Sequence, residues 1–134
     1  YGIDAGFEAT GELVVATVWP QPAPAEGCAF EELALRAGDY ALSMVAVVLH
    51  RDGGAARDVR VVAGAVTDKP TLLVEAAEAL EGVEVTVAAA RAAGAAAAAS
   101  LEPPGSIHAT ADYLRSITAT LVERAALRAW ETSG

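Results

Sequence analysis

The chain is short of most things that mark a self-contained catalytic centre. It has one cysteine, Cys28, in 134 residues. A single thiol excludes an intrachain disulfide and points to the reducing cytoplasm. Histidine is nearly as scarce, with only His50 and His108. Two separated histidines and one cysteine make no zinc site by spacing. Basic residues number 9 against 18 acidic ones, for a net charge of −9. Nucleic acid and anionic membranes call for the opposite balance. No apolar run reaches the length of a membrane span, since Arg91 and Gly94 interrupt the alanine tract, and no secretory signal is visible. The glycine-rich phosphate loops GxGxxG and GxxxxGK[ST] are missing, and so is the GxSxG elbow. Neither a catalytic residue nor a metal ligand is expected. Aromatic residues make up 5% of the chain, so small side chains must close the core.

What is present is globular: 54% hydrophobic and 20% charged residues, enough for one core. The chain starts at Tyr1 without methionine and reads as a piece of something longer. Residues 1–27 read as an N-terminal strand and proline-rich connector from a preceding domain. Residues 28–134 read as one α+β domain.

Glu12 to Trp19 is rich in β-branched residues and predicts a strand ended by Pro20, Pro22 and Pro24. Cys28 to Arg36 alternates imperfectly, with Glu31, Leu33 and Leu35 on one face. Phe30, Glu32, Ala34 and Arg36 share the other. Ser43 to His50 is an apolar run fit for a buried strand. Asp52-Gly53-Gly54 signals a turn, and Arg57 to Val66 is a further strand. These make an antiparallel meander of three strands, with Glu12–Trp19 added at one side.

After Pro70 the pattern becomes helical. Glu75 to Glu81 predicts a short helix with Gly82 at its C-terminal cap. Thr86 is placed to cap a second helix, in which 10 of the 12 residues from Ala88 to Ala99 are alanine. Gly94 interrupts it at a cost of about 1 kcal/mol relative to alanine. Pro103-Pro104-Gly105 is a stop. A third helix runs from near Thr110 to Trp130, with Leu114, Ile117, Leu121 and Ala125 as its apolar stripe. The fold class is therefore α+β: an antiparallel or mixed sheet of 3–4 strands, covered on one face by three helices.

Three groups of residues stand out. Arg36-Ala37-Gly38-Asp39-Tyr40 puts an arginine and an aspartate around a glycine at a strand end. Thr67-Asp68-Lys69-Pro70 is a polar loop after a hydrophobic strand. The third is the alanine-rich helix. From the residues alone, each reads first as structure: a bend in which Asp39 caps amides and pairs with Arg36, a plain strand-to-helix turn, and a helix packed tightly on the sheet. His50 reads as a surface residue at a strand end, and His108 as part of a helix entry.

The stretch Ala29-Phe30-Glu31-Glu32-Leu33-Ala34-Leu35-Arg36-Ala37-Gly38-Asp39-Tyr40-Ala41-Leu42 adds something else. It resembles the segment that opens the C-terminal domain of the FAD-binding medium subunit of molybdenum hydroxylases, the xanthine dehydrogenase and carbon monoxide dehydrogenase family. Val61 to Pro70 resembles that family's glycine-bearing strand and A-D-R/K-P loop. Glu75 to Gly82 resembles its short E-A-E-x-x-L-x-G helix. Ser106 to Arg115 resembles the entry to its last helix, with Asp112 where the family carries glutamate. The agreement runs in order from about Leu13 to Ala129. No single motif is decisive; order and spacing carry the resemblance.

The resemblance implies a division of labour. An N-terminal FAD-binding domain would hold most of the cofactor, and residues 28–134 would complete the isoalloxazine pocket. Electrons would come from a molybdenum site on a large subunit, through iron–sulfur clusters on a small subunit, to FAD and then to an acceptor. By position, Phe30 would lie on or beside the flavin ring. Arg36 and Asp39 would brace the strand end, and Thr67, Asp68 and Lys69 would form a loop bordering the ring. The alternative class is a non-catalytic α+β protein-interaction module that docks by its helices.

Overall fold

The computed structural model describes residues 15–19 and 21–134. Alternation of side chains decides the sheet. In β1 (Glu26–Ala34), Gly27, Ala29 and Glu31 turn towards one face, and Cys28, Phe30 and Glu32 towards the other. β2 (Ala41–Asp52) buries Ser43, Val45, Val47 and Leu49, and leaves Met44, Ala46, Val48 and His50 half-buried. β3 (Ala55–Gly64) buries Val59, Val61 and Ala63, while β4 is only Thr71–Leu72. The strands are antiparallel neighbours in the order β1-β2-β3-β4. Gly53 and Gly54 turn β2 into β3 with φ of 57° and 100°, as a two-residue hairpin requires.

The fourth strand is not the one expected. Val15–Trp19, the described part of the Glu12–Trp19 strand, is irregular and exposed. Glu12–Val14 lie outside the described residues. β-branched composition favours a strand only where a partner edge exists, and among the described residues none pairs with this segment. The fourth position goes instead to Thr71–Leu72, which pairs with Ala63 and Val62. β1 also ends earlier than alternation suggested. A register shift falls between Leu33 and Ala34, so Leu35 and Arg36 lie in the turn beyond the strand. Arg36 therefore does not share a strand face with Phe30.

Beyond β4 the outer edge of β3 is covered by the loops around α1 (Val74–Glu78). The Leu73 N–H donates to the Val61 carbonyl at 2.8 Å, and the Gly82 N–H to the Ala56 carbonyl at 2.7 Å. The Ala56 N–H donates to the Val83 carbonyl at 2.8 Å, and the Val59 N–H to the Glu81 carboxylate at 3.0 Å.

α2 (Val87–Ser100) and α3 (Ala111–Thr132) start at the predicted caps. Thr86 Oγ1 accepts from the Ala89 N–H and Thr110 Oγ1 from the Tyr113 N–H, both at 3.2 Å. α3 lies on β1 and β2, its buried stripe running from Leu114 through Thr118, Leu121, Val122 and Ala125 to Trp130. α2 makes its main contacts with α1 and α3, and its backbone approaches the strands less closely than that of α3 does. Its closeness to α3 is set at Gly94, where a Cβ would stand 2.5 Å from the Ala119 carbonyl oxygen. β1 meets α3 as tightly, since a Cβ on Gly27 would run into the Ala129 carbonyl.

Polar groups in the core are paired. The Thr118 hydroxyl lies 2.7 Å from the Leu114 carbonyl and 2.8 Å from Ser43 Oγ. None of the helices is long and apolar enough to cross a membrane, among the described residues.

Candidate functional site

The helices cover one face of the sheet and leave the other open. Cross-strand register sets the open face out in rows. Phe30 stands opposite Ala46, Ala46 opposite Val62, and Val62 opposite Leu72. One row on, Glu32 faces Met44 and Met44 faces Gly64. Phe30 is 55% exposed and Leu72 52%, so the apolar row is presented outward. Alanine at position 46 leaves the Phe30 ring standing clear of its neighbour.

At one end of this face lies a cleft of about 370 Å³ on one side and, at the other, one of about 330 Å³. The second joins Tyr40, the last residue of the Arg36–Tyr40 bend, to the Thr67–Pro70 loop; Phe30, Arg36 and Asp39 are not among its lining residues. Its lining includes Tyr40, Met44 and Gly64, and it is walled by Thr67, Asp68, Lys69 and Pro70. Met44 reaches over Gly64, where an added Cβ would stand 2.9 Å from Met44 Cγ. The floor of this cleft thus belongs to the same sheet face as Phe30, one strand away.

The wall is built by the chain leaving β3. Ala65 takes φ of 65°, which swings the backbone out of the strand. The Thr67 and Thr71 hydroxyls then tie the loop. They stand 2.7 Å and 3.0 Å from the Lys69 carbonyl, and 3.0 Å from each other. Each hydroxyl has one proton to donate, so Thr67 is engaged inside the loop. Asp68 and Lys69 are exposed and take part in none of the ion pairs among the described residues.

Opposite this wall runs the bend from Arg36 to Tyr40. The Asp39 N–H donates to the Arg36 carbonyl at 3.1 Å, and Asp39 Oδ1 accepts from the Tyr40 N–H at 2.9 Å. The expected Arg36–Asp39 ion pair is not formed, because the aspartate is engaged by the local amide and both side chains are solvated. Tyr40 is the residue that sequence reasoning quoted without giving it a role. The residue is 77% exposed and lines the cleft. The available signal was an aromatic directly after a Gly-Asp bend and before a buried strand.

The other cleft is lined by Glu26, Val48, His50, Asp58 and Arg60, among others. Register puts Glu26 opposite His50 and Cys28 opposite Val48, so the cysteine and histidine share the open face. No cluster of three metal-ligating side chains occurs among the described residues.

The Phe30-bearing strand is fixed from behind. Glu31 is 6% exposed and accepts ion pairs from two arginines of α3, Arg124 at 3.2 Å and Arg128. The Thr132 hydroxyl stands 3.3 Å from the Cys28 carbonyl.

Residues 28–129 match the model of the CO dehydrogenase flavoprotein C-terminal domain. The chain is 34% identical over 116 residues to a nicotine 6-hydroxylase medium subunit from Paenarthrobacter nicotinovorans, covering 87% of this chain and 41% of that protein. It is 32% identical over 119 residues to a carbon monoxide dehydrogenase medium chain from Afipia carboxidovorans, covering 89% and 41%. The solved carbon monoxide dehydrogenase from Hydrogenophaga pseudoflava that lacks the Mo-pyranopterin moiety superposes with a TM-score of 0.79 at 33% identity, covering 84% of this chain and 39% of that one. The chain belongs to the CO dehydrogenase flavoprotein C-terminal domain family. It spans about two fifths of the length of these relatives.

Proposed function

We propose that this domain walls one side of a flavin isoalloxazine in the FAD-binding medium subunit of a molybdenum hydroxylase. What supports the reading is the cleft itself. It joins a polar loop, Thr67-Asp68-Lys69, to an apolar floor and an aromatic residue, Tyr40, beside a face that presents Phe30. A planar ring with a polar rim and an apolar body suits such a mixed wall. FAD, when bound, supplies the two-electron chemistry.

The chain's own residues have narrower tasks. Phe30 and Tyr40 offer apolar contact area. Lys69 places a cation at the rim, where it favours negative charge gained on reduction. Asp68 beside it limits that field and offers an acceptor. Asp39 holds the start of β2 by its bond to the Tyr40 amide, and Arg36 stands at the strand end. Thr67 keeps the loop closed. The rest of the cofactor would be held by an N-terminal FAD-binding domain, with Val15–Trp19 and the prolines after it as the connector. An iron–sulfur small subunit and a molybdenum large subunit would pass electrons in, in the cytoplasm. Membership of this family favours the flavin reading over a stand-alone interaction module.

The test is a pair of variants in the full-length, FAD-loaded subunit. Phe30→Ala should weaken FAD binding by roughly two- to tenfold, the worth of one aromatic contact. Asp68→Ala should change the rate at which reduced flavin is oxidised. Unchanged affinity and oxidation rate in both variants would count against the reading.

A further inference from the structure

Glu31 lies next to Phe30 in β1 and points the opposite way. Its carboxylate, 6% exposed, is held by Arg124 and Arg128 of α3, whose side chains are 61% and 63% exposed. A buried carboxylate needs such partners, because burial without them is costly. Two cations on one helix fix its position from two directions. Nearby, Gly27 presses on the Ala129 carbonyl, and the Thr132 hydroxyl packs 3.3 Å from the Cys28 carbonyl while standing closer, at 3.0 Å, to the Ala129 carbonyl of its own helix. All three contacts tie β1 to the C-terminal half of α3. A strand held along one face is restrained from twisting about its axis, so the direction in which Phe30 leaves its other face is restrained too.

We propose that the Glu31–Arg124–Arg128 cluster is a positioning device that sets the Phe30 ring against the flavin. This rests on the flavin-wall reading above and adds to it the residues that act through Phe30 without touching the cofactor. Among the described residues β1 is an edge strand, bonded to a neighbour only on the β2 side. Elsewhere on it, alternate side chains are exposed. The helix clamp supplies the restraint that a second flanking strand would give.

Glu31→Gln keeps the side-chain shape and removes the charge. Both arginines already reach water, so the variant leaves no charge buried. Two readouts separate the levels of the argument. In the 134-residue chain, the Phe30 ring resonances should move, and amide exchange across residues 28–34 should speed up. In the full-length, FAD-loaded subunit, Glu31→Gln should weaken FAD binding about threefold or more and alter the visible flavin band, and adding Phe30→Ala should bring little further loss, as for coupled neighbours. Arg128→Gln, which acts from the helix side, repeats the experiment should Glu31→Gln not fold.

Unmoved Phe30 resonances in a folded variant would overturn the proposal. A lowered melting temperature with unchanged FAD affinity and flavin band would also overturn it, since a purely structural contact does no more than that. Additive losses in the double variant would do the same. If Phe30→Ala alone leaves FAD binding unchanged, the flavin-wall reading falls first and the proposal with it; moved Phe30 resonances in the Glu31→Gln chain would mark that case.

Discussion

Ser43 on β2 and Thr118 on α3 are joined by a 2.8 Å hydrogen bond in the core, although 75 residues separate them in sequence. The direction of the bond follows from proton counting. Thr118 directs its one proton to the Leu114 carbonyl at 2.7 Å, so Ser43 must donate to Thr118. The two substitutions are therefore not equivalent. Ser43→Ala removes a donor and leaves Thr118 with its own bond, at a cost of about 1 kcal/mol. Thr118→Val leaves the Ser43 hydroxyl buried without a partner, and should cost about 2–3 kcal/mol. Urea unfolding of the two single variants and the double variant checks the order. The double variant should lie closer to Ser43→Ala than the sum predicts.

Gly94 should resist replacement by the best helix former. By propensity alone, Gly94→Ala would gain about 1 kcal/mol. A Cβ there would stand 2.5 Å from the backbone oxygen of Ala119, and backbone yields only by moving a helix. The expected outcome is a net loss of about 1–3 kcal/mol, as for overpacked cores. A substitution on the exposed side of the same helix, Ala92→Gly, should instead show the ordinary propensity cost of about 1 kcal/mol. Thermal melts of both variants distinguish packing from propensity.

Isolated from any companion domain, the 134-residue chain should be colourless and bind FAD weakly or not at all. The site-forming residues described above are side chains around a cleft of about 330 Å³, with no helix N-terminus or glycine-rich loop set to hold a pyrophosphate among them. Those groups supply most dinucleotide affinity. Equilibrium dialysis with FAD tests this, and tight stoichiometric binding would contradict it.

Much of this could be read from the residues, for identifiable reasons. Ser43 to His50 announced β2 because a strand buried on one face and half-covered on the other keeps apolar residues at nearly every position. Thr86 and Thr110 announced the starts of α2 and α3 because capping is local chemistry. Thr67 to Lys69 reads as a polar loop after a hydrophobic strand, and a loop is what the chain forms there. Other features depend on contacts far apart in sequence. Nothing local in Thr71-Leu72 separates a two-residue strand from a loop; the edge of β3 makes it a strand. Val15 to Trp19 has the composition of a strand but pairs with nothing described. That Tyr40 and Lys69 line one cleft is a matter of β2 and β3 lying side by side. The function of Gly94 was hidden because a cost in propensity gives no hint of the helix that crosses there. The ion pairs of Glu31 join β1 to a helix nearly a hundred residues on, a distance no periodicity records.

The loops around α1 have a consequence for how copies of this domain can meet. With Leu73, Glu81, Gly82 and Val83 bonded to β3, that flank offers a newcomer few free backbone groups. Among the described residues the longer free backbone edge is that of β1, where Glu26 and Glu32 would face each other's copies in an antiparallel pair centred on Ala29. On that side, two copies that met edge to edge would set carboxylate against carboxylate.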